Sequence, residues 1–219
     1  MKRARDYRKN ARDLLGNNIF SDKWIYCMLI VLIVSAILGI FSGATTRIHR
    51  WIGPMVGSII SILISGPLSF GLVRVYLRFV RGEDEKADIA RLVDGFSSKF
   101  MESFVLSLLV FLYTFLWSLL FVIPGIIKSY SYSASMYLLH EKNLEGNDAI
   151  DESRKLMDGN KWRLFCLDLS FIGWYIVGLL CLGVGVFWVQ AYHNTARTKF
   201  FDELLSGQPN VIDIESKAL

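Results

Sequence analysis

Residues 103–139 read SFVLSLLVFLYTFLWSLLFVIPGIIKSYSYSASMYLL, 37 positions with a single charge, Lys128. How this stretch divides decides the fold. A helix rises about 1.5 Å per residue and crosses a bilayer core with roughly 20 apolar residues, so the stretch is too long for one span. Pro124-Gly125 stands where a helix begun at Ser103 reaches the far surface. Proline suits a helix start, and the Pro-Gly pair favours a turn. The stretch therefore predicts a span, a tight turn, and a short returning span.

On either side lie three more uncharged blocks: Trp24–Gly43 with 20 residues, Trp51–Val73 with 23 and Leu169–Tyr192 with 24. The whole chain has 219 residues, is 53% hydrophobic and has a mean hydropathy of +0.39. Backbone groups in hydrocarbon must bond internally, so these blocks are helices. The last block divides at Leu182-Gly183, as the first stretch does at Pro124. Trp24–Gly43 is too long for a signal-peptide core and lacks a small-residue cleavage site, which makes it a retained first span.

Basic charge decides between four spans and six, because Lys and Arg accumulate on the cytoplasmic side. Six spans with a cytoplasmic N-terminus put 21 of the 24 basic residues inside and leave Arg47, Arg50 and Lys128 outside. Four spans would move Lys128 to Arg163 outward and leave eight basic residues outside, a poorer fit. The expected fold is all-α, a polytopic membrane helix bundle. Its six transmembrane helices, at about 24–43, 51–77, 103–123, 126–140, 162–181 and 184–204, form three hairpins, each preceded by a cytoplasmic amphipathic helix. A basic amphipathic segment, 1–23, precedes this single membrane domain, and a cytoplasmic tail, 205–219, follows it.

The threefold organisation has an echo in the sequence. Arg12-Asp-Leu-Leu-Gly-Asn17, Arg91-Leu-Val-Asp-Gly-Phe96 and Arg154-Lys-Leu-Met-Asp-Gly-Asn160 are each followed by a Lys and an aromatic residue, then by a long apolar segment. Asp88 can cap a helix with Ile89, Leu92, Val93, Phe96 and Phe100 on one side. Asn147 or Asp148 can cap a second, with Ile150, Leu156 and Met157 as its apolar side. Tyr7, Ala11, Leu14 and Leu15 mark a third. Basic juxtamembrane segments attract anionic lipid, so membrane lipids at the cytoplasmic face are the expected partners. The same helices offer a docking surface for a membrane or cytoplasmic protein.

Asp168 lies inside the fifth span, where an acid requires a partner. A hairpin turning between residues 182 and 183 brings it opposite Arg197. The sixth span also carries Gln190, His193 and Asn194 on one helical side, and Arg74 of the second span can join the same layer. Asp168, Arg197, His193, Gln190, Asn194 and Arg74 are thus the candidate buried polar layer. They read either as a fixed packing cluster or as a relay lining a hydrated inner-leaflet cavity. Small residues at intervals of four, Ser35, Gly39 and Gly43, then Gly57, Ser61, Ser65 and Ser69, mark close helix contacts.

No Walker loop, His-Glu-x-x-His pair or Gly-x-Ser-x-Gly elbow is present, so no catalytic, cofactor-binding or metal-binding residue is assigned and no enzyme is expected. Cys27, Cys166 and Cys181 fall in or beside apolar segments, which argues against a disulfide framework. A net charge of +4, with basic residues that follow topology, gives nucleic-acid binding no support.

Three elements carry a resemblance. They are the run Pro124-Gly-Ile-Ile-Lys-Ser-Tyr-Ser-Tyr-Ser, the run from Ser153 to Phe165 followed by Leu167–Trp174, and Leu182-Gly-Val-Gly-Val-Phe-Trp-Val with its end at Phe200-Phe-Asp-Glu-Leu204. Together they resemble the uncharacterised bacterial integral-membrane family called domain of unknown function 975, most strongly over Ile123–Leu204. Where this chain has Ala191-Tyr192, the family pattern often has Pro-Tyr. The resemblance implies a multi-pass protein of the bacterial cytoplasmic membrane, with both termini cytoplasmic on the charge reading and no assigned activity. Two functions follow as expectations. One is a non-enzymatic scaffold or accessory protein acting at the inner face. The other is a small-solute or lipid transporter, or a lipid-binding protein, that uses the polar layer.

Overall fold

A computed structural model describes residues 4–16, 21–46, 53–93, 96, 99–181 and 183–207. Nine α-helices and one short 3-10 turn account for the ordered elements among these residues. They are α1 (Ala4–Leu15), α2 (Asp22–Thr46), α3 (Gly53–Arg81), the 3-10 turn (Ile89–Val93), α4 (Phe100–Leu120), α5 (Val122–Tyr132), α6 (Ser135–Lys142), α7 (Gly146–Leu156), α8 (Lys161–Leu180) and α9 (Gly185–Ser206).

Among the described residues, four helices, not six, are long and apolar enough to cross a membrane: Asp22–Ile40, Leu63–Arg81, Phe100–Leu120 and Lys161–Leu180. The expected fourth span, 126–140, is two short helices, α5 and α6, separated at Ser133-Ala134. With 11 residues, α5 reaches only about 16 Å, roughly half a bilayer core. The expected sixth span, 184–204, is the continuous helix α9, but Gln190, His193, Asn194, Arg197, Lys199, Asp202 and Glu203 make it too polar for a lipid-facing crossing. Of the expected amphipathic helix after Asp88, Ile89–Val93 is a short 3-10 turn, opened by Asp88 Oδ1 accepting from the Ala90 amide at 3.0 Å. Helix α7 starts at Gly146 and takes no side-chain cap from Asn147 or Asp148. The tail 208–219 lies outside the described residues.

Helix α3 is the central element. Of its crossing window, 61% is buried, against 11% for α4 and 22% for each of α2 and α8. The outer helices therefore keep most of their apolar side chains uncovered. On α4 and α8 these include Phe111, Phe115, Leu119, Ile172, Ile176 and Leu180. Apolar surface on this scale is unstable in water and matches acyl chains. Helix α3 runs through Pro67 without interruption. Beside it, Gly66 lets α4 approach: a Cβ there would stand 2.6 Å from the Ser103 carbonyl oxygen and 2.9 Å from Phe104 Cα. Likewise Gly178 of α8 and Gly185 of α9 meet backbone to backbone, so a Cβ on Gly178 would come within 3.0 Å of the α9 chain.

The amphipathic pattern of α1 is used for packing. Tyr7, Ala11 and Leu15 are buried, and Tyr7 meets Phe200 of α9 edge-on at 5.4 Å. Its hydroxyl donates to Glu203 Oε1 at 3.1 Å and accepts from Arg163 Nη2 at 2.8 Å. The chain's first helix is thereby tied to the start of α8 and the end of α9. On α7, Ile150 and Leu156 are buried as the spacing predicts, as is Met157 just after it, and Ser153 donates to the Ser131 carbonyl at 2.8 Å.

Candidate functional site

Helices α8 and α9 bring Asp168, His193 and Arg197 together. His193 and Arg197 stand one turn apart on α9, so both face the same carboxylate. Asp168 Oδ1 lies 2.8 Å from His193 Nε2 and 3.6 Å from Arg197 Nε. Its Oδ2 accepts from the Tyr130 hydroxyl of α5 at 3.0 Å. His193 Nδ1 lies 3.1 Å from the Tyr175 hydroxyl, and Phe171 stacks on the imidazole at 4.5 Å. With the proton on Nε2, the ring donates to the acid and accepts from Tyr175, a neutral arrangement that satisfies both nitrogens. Both Asp168 oxygens are engaged, as burial of a charge requires.

Tyr130 and Tyr175 escaped the sequence reading as members of this layer. The tyrosines of the stretch after Pro124 were visible, but which of them meets Asp168 depends on how α5 packs against α8. Asn194 lines the neighbouring cavity rather than the acid. Gln190 is half-buried on α9 one turn before Asn194, and Arg74 is half-buried on α3 beside the cavity-lining Val73.

That cavity, of about 240 Å³, lies between α3, the α5–α6 junction and α9. Tyr76, Ser133, Tyr137, Asn194, Arg197 and Thr198 supply its polar wall, with Tyr137 and Thr198 hydroxyls 3.2 Å apart. Arg197 is shared: its Nε faces Asp168 while its side chain also lines the cavity, leaving guanidinium donors for a guest. Such a wall suits a small group with acceptor oxygens, and it carries no nucleophile paired with a base. Among the described residues, no group of three or more His, Cys, Asp or Glu side chains could hold a metal ion.

A second polar cluster closes the bundle at the ends of α3, α6 and α9. Arg81 Nη1 stands 2.9 Å from Glu141 Oε1, and its Nε stands 2.8 Å from Asp202 Oδ1. Hydrogen bonding from His140, with the bond and charge of Arg81, lowers the Glu141 carboxyl from its ordinary 4.5 to about 2. Nearby, Arg78 bonds Asp84 at 3.0 Å and holds its carboxyl below the ordinary range. Lys86 and Asp22 pair at 2.8 Å, which joins the segment after α3 to the start of α2. These contacts staple the ends of helices.

The sequence model of a family described as protein of unknown function (DUF975) matches residues 1–131 and 119–208. No curated protein and no solved structure matches.

Proposed function

The chain belongs to the DUF975 family, and on that premise we propose that it is a multi-pass protein of the bacterial cytoplasmic membrane with both termini cytoplasmic, serving there as a non-enzymatic scaffold or accessory protein. The observation that carries this reading is the state of Asp168. The one acid deep in a crossing helix has both oxygens engaged by His193, Tyr130 and Arg197, so it locks three helices together. A group held this way fixes geometry, and buried polar clusters serve specificity well. What such a scaffold presents is its charged end, where α1, the end of α3, α7 and the start of α8 expose Arg and Lys side chains to anionic lipid and to protein partners. The test is purification in mild detergent with quantitation of bound proteins and lipids. A protein partner present in fixed ratio, retained by Arg197→Gln but lost when the exposed charges of α7 are reversed, supports the reading. No partner in fixed ratio, or one lost with Arg197→Gln alone, refutes it.

A specific observation favours a second reading, lipid or small-solute binding: the cavity beside Arg197. On that reading a phospholipid or anionic solute co-purifies with the protein and is lost in Arg197→Gln.

A further inference from the structure

No proline or glycine lies between Ile126 and Lys142, yet this stretch is two helices, α5 ending at Tyr132 and α6 starting at Ser135. Helices break sharply at proline, at glycine, or where a side chain from elsewhere enters the hydrogen-bond ladder. Here that side chain is Ser153 of α7, which is fully buried. Its hydroxyl donates to the Ser131 carbonyl at 2.8 Å and accepts from the Ala134 amide at 3.2 Å. The Ser133 hydroxyl turns back to the Tyr130 carbonyl at 2.8 Å. The break is thus stapled by a third helix, and its two halves hold different partners. Tyr130 of α5 bonds Asp168 of α8, while Tyr137 of α6 meets Thr198 of α9 and Glu141 pairs with Arg81 of α3.

The cavity of about 240 Å³ lies at this break, lined by Ser133, Met136 and Tyr137 from the break itself and by Asn194, Arg197 and Phe201 from α9. Arg197 is the one charged side chain in its wall. The Nε contact with Asp168, at 3.6 Å, is too long for a directed hydrogen bond. Asp168 is held instead by Tyr130 and His193, and it does not line the cavity. Among the described residues, no oxygen accepts from the two terminal nitrogens of Arg197, and the side chain is 34% exposed.

A guanidinium offers parallel N–H donors in one plane, a geometry that a carboxylate matches with both oxygens. One cation answers one negative charge, which favours a monocarboxylate over a phosphate dianion. Leu72, Val73, Met136 and Phe201 make the rest of the wall apolar, which suits a guest with an apolar body. The volume equals that of about eight water molecules, so it holds a guest of about that many non-hydrogen atoms and not a whole phospholipid.

We propose that the break between α5 and α6 makes a binding site for a small monocarboxylate with a short apolar body. The Arg197 fork takes the carboxylate, and Leu72, Val73, Met136 and Phe201 take the body. This rests on the lipid or small-solute reading given above and names the solute. The guest touches α3, α6 and α9 together, so its binding stabilises the folded bundle.

The test is thermal unfolding of the full chain in mild detergent, titrated with sodium butyrate. Butyramide, inorganic phosphate and sodium chloride are the comparisons, the salts at matched ionic strength. A saturable rise in Tm is expected with butyrate alone. Arg197→Lys keeps the charge without the fork and should weaken the apparent affinity about tenfold or more. Met136→Trp, which fills the cavity and leaves Arg197 in place, should abolish the response. No saturable rise with butyrate overturns the proposal, as does an equal rise with butyramide or phosphate. A butyrate response unchanged in both variants overturns it as well. Phospholipid that co-purifies and is lost in Arg197→Gln, without any butyrate response, overturns the monocarboxylate and leaves the lipid reading standing.

Discussion

The His193 ring holds Asp168, with Nε2 at 2.8 Å from Oδ1, while the Arg197 Nε stands 3.6 Å from the same oxygen and its side chain is 34% exposed. The short contact is a directed hydrogen bond in a confined site. The longer one is a partly hydrated charge pair, of a kind that contributes little. A double-mutant cycle of Asp168→Asn with His193→Gln should give a coupling of about 1–2 kcal/mol, and the cycle with Arg197→Gln under about 1 kcal/mol. Thermal unfolding in detergent measures both, and the reverse order would show that the arginine is the structural partner.

Gly66→Ala should destabilise by about 1–3 kcal/mol, because the new methyl meets the Ser103 carbonyl and the Phe104 backbone, neither of which can rotate away. Gly173→Ala is the matched control. It lies in α8 with nothing within 4 Å of a built Cβ, so it should be neutral or slightly stabilising through helix propensity. Equal losses in the two variants would place the effect in the backbone rather than at the α3–α4 contact.

Tyr7→Phe removes a hydroxyl that accepts from Arg163 and donates to Glu203, and should cost about 1–2 kcal/mol. Tyr7→Ala also removes the ring packed on Phe200. It should free α1, which limited proteolysis would detect as cleavage between α1 and α2. A Tyr7→Ala protein that is as resistant as the parent would show that Ala11 and Leu15 hold the helix alone.

Glu141 gives a pH dependence with a defined sign. Its carboxyl falls from 4.5 to about 2, through His140 first and then Arg81. A lowered pKa stabilises the fold fully above the unfolded value, and that contribution is lost as pH falls. The parent should therefore lose thermal stability between about pH 4.5 and 2. Glu141→Gln should be less stable at neutral pH and show a shallower loss over that window. Identical profiles would remove the Arg81–Glu141 pair from the stability of the charged end.

The sequence made the helices and their membrane-crossing length legible because apolar run length is a local property. Blocks of 20 and more uncharged residues need no tertiary information to be read. The Asp168–Arg197 pairing was within reach as well, since a hairpin with a short turn converts sequence separation into register. His193 was included in the polar layer, but its precedence over Arg197 was not visible. A difference of one helical turn in register depends on the Gly178–Gly185 contact, which only packing sets. Tyr130 reaches Asp168 from a separate helix, and no local pattern encodes that approach.

The sequence by itself determined that this chain is helical with apolar blocks long enough to cross a membrane, that its basic charges lie between those blocks, and that the acid Asp168 in the last block has to be answered by a group across the turn. Hydrophobicity and charge act residue by residue, so composition and spacing carry them. Only the tertiary structure decided how many helices are fit to cross, breaking the fourth expected span at Ser133-Ala134 and covering the polar side chains of α9 with α1, α3 and α8. It alone placed Lys128 in one groove with Arg154 and Lys161. Contacts of this kind join residues far apart in the chain, so no local pattern of hydrophobicity or charge encodes them.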